Sequence, residues 1–121
     1  MKSLVGLTRR ERSALEEYVE TLVETLPRDI KAIVLFGSKA KGGRRAGSDT
    51  DVAILLRGET RPSLRYAIAE AAFGPIRRYR VDLSPVLVPL SSVCEGSPFS
   101  RRIKEEGIPL WNGKRNLLAS A

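Results

Sequence analysis

Leu35-Phe36-Gly37-Ser38, the loop Lys39-Ala40-Lys41-Gly42-Gly43-Arg44-Arg45-Ala46-Gly47-Ser48, and then Asp49-Thr50-Asp51-Val52-Ala53-Ile54 carry most of the information in this chain. Lys31 to Phe36 is rich in strand formers and stops at Gly37, which predicts a strand closed by a turn. Residues 49–56 predict a second strand, polar at its start and apolar from Val52 to Leu56. Between them, the glycines and cations predict a brief helical turn and then a loop. Gly37-Ser38 sits where a strand becomes a helix start. Glycine there lets a ligand approach the backbone, free amides face an anion, and the Ser38 hydroxyl adds a donor. Standing alone, such a pair is also the ordinary composition of a turn.

Asp49 and Asp51 lie two apart on a strand, so both side chains point to one face. Two carboxylates that close repel each other unless a cation stands between them. Mg²⁺, which takes one or two carboxylates together with substrate phosphates, suits such a pair. The plainer alternative is two solvated aspartates capping turn amides. A third acid, Asp82, falls in Arg80-Val81-Asp82-Leu83, opposite to Val81 and Leu83 and on one face with Arg80 and Ser84. If that strand lies beside the Asp49–Asp51 strand, three carboxylates converge. Such a trio can hold two metals and set a hydroxyl in line with a phosphate. Read singly, Asp82 is equally a partner for a nearby arginine.

Working outward, Thr8-Arg9-Arg10-Glu11 fits a capping box. Ala14, Leu15, Tyr18, Val19, Leu22, Val23 and Leu26 then follow helical spacing until Pro27. Glu16, Glu17, Glu20 and Glu24 fall on the solvated face and are assigned no chemistry. Pro62 opens a helix expected to run through Ala72, where Gly74 and Pro75 interrupt the pattern. Arg80 to Val88 predicts a third strand that bends or lies at an edge at Pro85. Ser97-Pro98 starts a helix to about Glu106, Gly107 closes it, and Ile108 to Trp111 form a short strand or packed tail. Tyr18 and Tyr79 are expected to be half-buried, and Trp111 to anchor the C-terminal segment. The order α-β-α-β-α-β-α-β predicts an α/β (α+β) domain, a small mixed sheet with helices packed against it.

Composition narrows the chemistry. At 121 residues and 13.3 kDa the chain has room for one core. It contains no histidine and a single cysteine, Cys94, so imidazole bases, histidine-ligated metals and internal disulfides are excluded. No apolar run approaches a membrane span, and the apolar N-terminal stretch is too short for a signal peptide; a cytoplasmic domain is expected. The formal net charge is +7, with residues 1–30 at −1 and the remainder at +8. That excess favours phosphate-bearing or acidic partners. One Trp, three Tyr and three Phe are too few for a base-stacking platform, which disfavours direct nucleic-acid binding.

Gly37-Ser38, ten residues, then Asp49-Thr50-Asp51 and an apolar strand resembles the signature of the DNA polymerase beta-like nucleotidyltransferase superfamily. The closer resemblance is to its smallest branch, the minimal nucleotidyltransferases, from the first helix to about Trp111. The resemblance implies a palm-like nucleotidyltransferase domain over residues 1–112, with 113–121 as a flexible tail. It implies that Gly37 and Ser38 bind the β- and γ-phosphates of a nucleoside triphosphate, ATP above all. Asp49, Asp51 and Asp82 would be the catalytic and metal-binding residues for Mg²⁺, with two ions possible, and Asp82 would help deprotonate the acceptor. Family members commonly carry arginines after the serine, where this chain has Lys39 and Lys41; lysine keeps the charge but not the bidentate fork. Arg44 and Arg45 either close over the triphosphate or are solvated loop charges.

Relatives of this size pair with a separate helical protein of the HEPN type. In those toxin–antitoxin pairs the nucleotidyltransferase attaches AMP to a tyrosine of the toxin. An antitoxin-type adenylyltransferase is therefore the first expectation. The alternatives are a non-catalytic antitoxin that covers its partner, and a small-molecule (antibiotic) nucleotidyltransferase needing a partner chain.

Overall fold

A computed structural model of the chain describes residues 7–37, 49–92 and 97–114. The capping box opens helix α1, Arg9–Thr25: Thr8 Oγ1 accepts from the Glu11 amide at 3.1 Å, and Glu11 Oε1 accepts from the Thr8 amide at 2.8 Å. Strand β1, Ile30–Phe36, pairs antiparallel with β2, Thr50–Leu56, in the register Phe36↔Asp51 to Ala32↔Leu55. Helix α2, Pro62–Tyr79, crosses over to β3, Leu83–Val88, which runs parallel to β2 with Thr50↔Leu83 and Asp51↔Ser84. Helix α3, Pro98–Glu106, leads into β4, Ile108–Trp111, antiparallel to β1. The sheet order is β3-β2-β1-β4, so the expected mixed sheet is present and β3, with its Pro85, is an edge strand.

Strand alternation divides the sheet into two faces. One carries Ile33, Leu35, Val52 and Ile54, which join Leu15, Tyr18 and Leu22 of α1 and Leu64 and Ile68 of α2 in the main core. The other carries Val34, Ala53 and Val88, with Phe36, Leu55 and Ile103 of α3 packed on them. Gly107 makes that second contact possible, since a Cβ there would lie 2.5 Å from both Val34 Cγ1 and the Ile103 carbonyl. Trp111 is buried, as expected of an anchor. Tyr18 is fully buried rather than half-buried, and its hydroxyl donates to the Ile68 carbonyl at 2.9 Å, joining α1 to α2. Tyr79 is half-buried.

Two element boundaries differ from the sequence reading. Helix α2 does not stop at Ala72 but continues through Gly74 and Pro75 to Tyr79. An internal proline costs a helical hydrogen bond and about 3 kcal/mol. Tertiary contacts outweigh it: Pro75 is itself buried, Ile76 and Tyr79 pack on the main core, and Arg78 pairs with Glu17 of α1. The helix ends at Arg80, whose φ of 55° is the left-handed cap that turns the chain toward β3. In consequence β3 begins at Leu83 rather than Arg80, and Asp82 precedes the strand. The brief helical turn and loop expected over 38–48, Cys94, and most of the expected tail lie outside the described residues. Among the described residues, no helix is long and apolar enough to cross a membrane.

Candidate active site

Asp51 belongs to the same alternating set as Ala53 and Leu55, so it stands on the α3 side of the sheet, at the end of β2 away from Leu56. The antiparallel register sets it opposite Phe36, and the chain turns at the next residue, Gly37, with φ of 78°. That turn brings the glycine backbone against the Asp51 carboxylate. A Cβ built on Gly37 would run into Asp51 Oδ2 and lie 3.3 Å from its Cγ. Glycine is required there twice, by the positive φ and by the space the carboxylate occupies.

Asp49 is exposed and Asp51 half-buried. Burial, and secondly the charge of Asp49, raise the Asp51 carboxyl above its ordinary pKa. The charge of Asp49 therefore reaches the Asp51 carboxyl. Hard oxygen donors that repel each other, one partly withdrawn from water, are a donor set that a divalent cation relieves.

Asp82 is exposed, between the buried Val81 and Leu83. Its carbonyl accepts from the Thr50 amide at 2.8 Å, which fastens it to the residue between Asp49 and Asp51. The parallel register thus carries Asp82 to the strand end beside the pair, as the sequence reading requires of neighbouring strands. Among the described residues, however, no three His, Cys, Asp or Glu side chains gather into a metal-holding group. The pair is assembled, with the third acid on the adjacent strand end. Mg²⁺ commonly draws its remaining ligands from water and substrate phosphates. Ser38, Lys39, Lys41, Arg44 and Arg45 lie outside the described residues.

Two features were not legible in the sequence. Ser84 stands opposite Asp51 in the register, which puts a hydroxyl-bearing residue beside the pair; only the pairing of β2 with β3 reveals it. Thr50 is fully buried on the helix-packed face, and its Oγ1 has no hydrogen-bond partner. Thr50→Val is expected to stabilise the chain by about 1 kcal/mol, because the isosteric methyl removes an unsatisfied buried hydroxyl. Urea denaturation checks this; an unchanged or lower midpoint would mean that the hydroxyl is bonded.

A separate groove of about 370 Å³ follows the acidic side of α1, lined by Glu16, Glu17, Glu20, Glu24 and Tyr79. It belongs to the helix layer, across the sheet from Asp51.

The family model described as a nucleotidyltransferase domain matches residues 13–110. No curated protein matches the sequence. Among solved structures, a candidate nucleotidyltransferase from Sulfolobus solfataricus is similar at a TM-score of 0.59 and 22% identity, covering 88% of this chain and 85% of its own. A toxin-antitoxin crystal structure with AMP-PNP is similar at 0.58 and 19% identity, over 84% of this chain and 73% of the other. The toxin-antitoxin MntA-HpeT, in a variant with two aspartates two positions apart changed to glutamate, is similar at 0.58 and 20% identity, over 80% and 72%. At such identities the structural likeness establishes the fold.

Proposed function

The chain belongs to the nucleotidyltransferase domain family, and from that premise we propose that it transfers a nucleoside monophosphate, AMP from ATP, to a tyrosine hydroxyl of a separate helical HEPN-type toxin. The observation that carries this reading is the meeting of the Gly37 turn with the Asp51 carboxylate, next to Asp49. A triphosphate held by Ser38 and at the Gly37 turn comes to lie against the carboxylates. Asp49 and Asp51 would hold Mg²⁺, which would neutralise charge building on the α-phosphate and on the leaving group. Asp82, on the neighbouring strand end, accepts the acceptor hydroxyl's proton. The freed oxygen forms a bond to the α-phosphorus, the α–β bridging P–O bond breaks, and pyrophosphate departs with that electron pair. The setting is cytoplasmic.

The toxin-antitoxin neighbours, one with AMP-PNP, support the nucleotide and the partner class. The paired aspartates altered in one of them have the spacing of Asp49 and Asp51. The test is intact-mass spectrometry of the co-purified partner after incubation with Mg²⁺ and each nucleoside triphosphate. A gain of one AMP on the partner, absent with the Asp49→Asn/Asp51→Asn chain, supports the reading. A stable complex with no gain under any triphosphate overturns it in favour of a binding-only antitoxin.

A further inference from the structure

Helix α2 is apolar on two sides. One side, with Leu64, Ile68, Ala72 and Pro75, is buried against α1 and the sheet. On the other, Pro62, Tyr66, Ala69 and Phe73 recur at intervals of four, three and four, and all four are exposed. Tyr66 is 67% exposed and Phe73 58%. Single exposed aromatics are ordinary on protein surfaces, but this spacing is the seam by which one helix accepts the ridges of another. It runs about 17 Å along the helix, and a strand's alternation would not match it.

The charges beside the seam choose the occupant. Arg65 borders it on one side, Glu70 on the other, and Arg77 continues it one turn beyond Phe73. Both arginines are exposed, and among the described residues neither is in an ion pair, whereas Arg61 and Arg78 are held by Asp29 and Glu17. A second copy packing its own α2 seam here would set Arg65 and Arg77 against the same two arginines. An acidic helix meets them with opposite charge.

We propose that the Pro62–Tyr66–Ala69–Phe73 seam of α2 is a docking surface for an amphipathic helix of a separate acidic protein. Because α2 packs on the sheet face opposite Asp51, docking there leaves the proposed nucleotide site open. The surface therefore stands independently of the reaction assigned above.

The test uses the full chain and two synthetic helical peptides with leucines at three-and-four spacing, one flanked by glutamates and the other by lysines. Fluorescence anisotropy is expected to show the glutamate peptide binding at least about tenfold more tightly than the lysine peptide. Tyr66→Ser/Phe73→Ser is expected to weaken that binding by about tenfold or more. Arg65→Glu/Arg77→Glu, which leaves the seam intact, is expected to reverse the peptide preference. Mg²⁺-triphosphate binding is measured on the same preparations and should not change in either variant. No binding of the glutamate peptide, equal binding of both peptides, or indifference to the substitutions overturns the proposal. A dimer of the unaltered chain that Tyr66→Ser/Phe73→Ser dissolves also overturns it, since the seam would then belong to a second copy.

Discussion

Asp49→Asn/Asp51→Asn is expected to abolish Mg²⁺-dependent triphosphate binding and to lower nucleotidyl transfer by about 10³-fold or more, while making the metal-free chain more stable. On the proposed function, the first effect follows from removing both charges that would hold the cation, whose stabilisation of developing phosphate charge is worth several kcal/mol. The second follows from the environment of Asp51, whose carboxyl is raised above its ordinary pKa by burial and by Asp49. A raised carboxyl holds its proton more tightly in the folded chain than in the unfolded one. Folded stability is therefore highest while the group is protonated in both states, and declines as pH rises through the ordinary carboxylate range to the raised value. Thermal melts in EDTA from about pH 3 to pH 7 should show this decline in the unaltered chain and a shallower one in the double variant. Adding Mg²⁺ and ATP should raise the melting temperature of the unaltered chain alone. Normal Mg²⁺-ATP binding by the double variant would remove these residues from the site. A variant less stable than the parent at neutral pH would show that the carboxylates are structural.

The second large effect is expected at Gly37. Gly37→Ala places a side chain at φ of 78°, which costs about 1–2 kcal/mol in backbone conformation alone. The new Cβ also meets the Asp51 carboxylate, so the carboxylate or the turn must move. The melting temperature should fall by roughly 5–10 °C, and Mg²⁺-triphosphate affinity by about tenfold or more, since a displacement costing about 1.4 kcal/mol already has that effect. Gly37→Asn separates the two causes. Asparagine tolerates positive φ better than other side chains, so its stability should recover in part, but its Cβ meets the same carboxylate and affinity should stay low. Recovery of both would assign the glycine to the turn alone. Full affinity in the alanine variant would disconnect Gly37 from the site.

The sequence and the folded chain supply different parts of this account. Helix α1 was legible to its caps, because Thr8, Glu11 and the apolar spacing from Ala14 to Leu26 act within a few residues of one another. The nearness of Asp49 to Asp51 was legible because they lie two apart in the sequence, although β2 begins at Thr50 and Asp49 precedes it. So was the edge position of Pro85, which cannot donate to a neighbouring strand. The family signature joined Gly37-Ser38 to that pair across ten residues whose own conformation did not matter.

What local rules misjudged was settled by distant contacts. Helix α2 runs through Gly74 and Pro75 because Tyr79, Ile76 and Arg78 find partners on the core and on Glu17, and a local breaking tendency of about 3 kcal/mol yields to several such contacts. That longer helix in turn moved the start of β3 to Leu83 and left Asp82 just before it. Chemistry at a single position was thus written in the residue types, and the secondary structure largely in their spacing. Which residues meet was decided by strand pairing: Gly37 against Asp51, Ser84 opposite Asp51, the Asp82 carbonyl on the Thr50 amide. Such contacts join positions up to 33 residues apart in the Asp51–Ser84 case, and no local spacing encodes a register that depends on how the whole sheet buries its two faces.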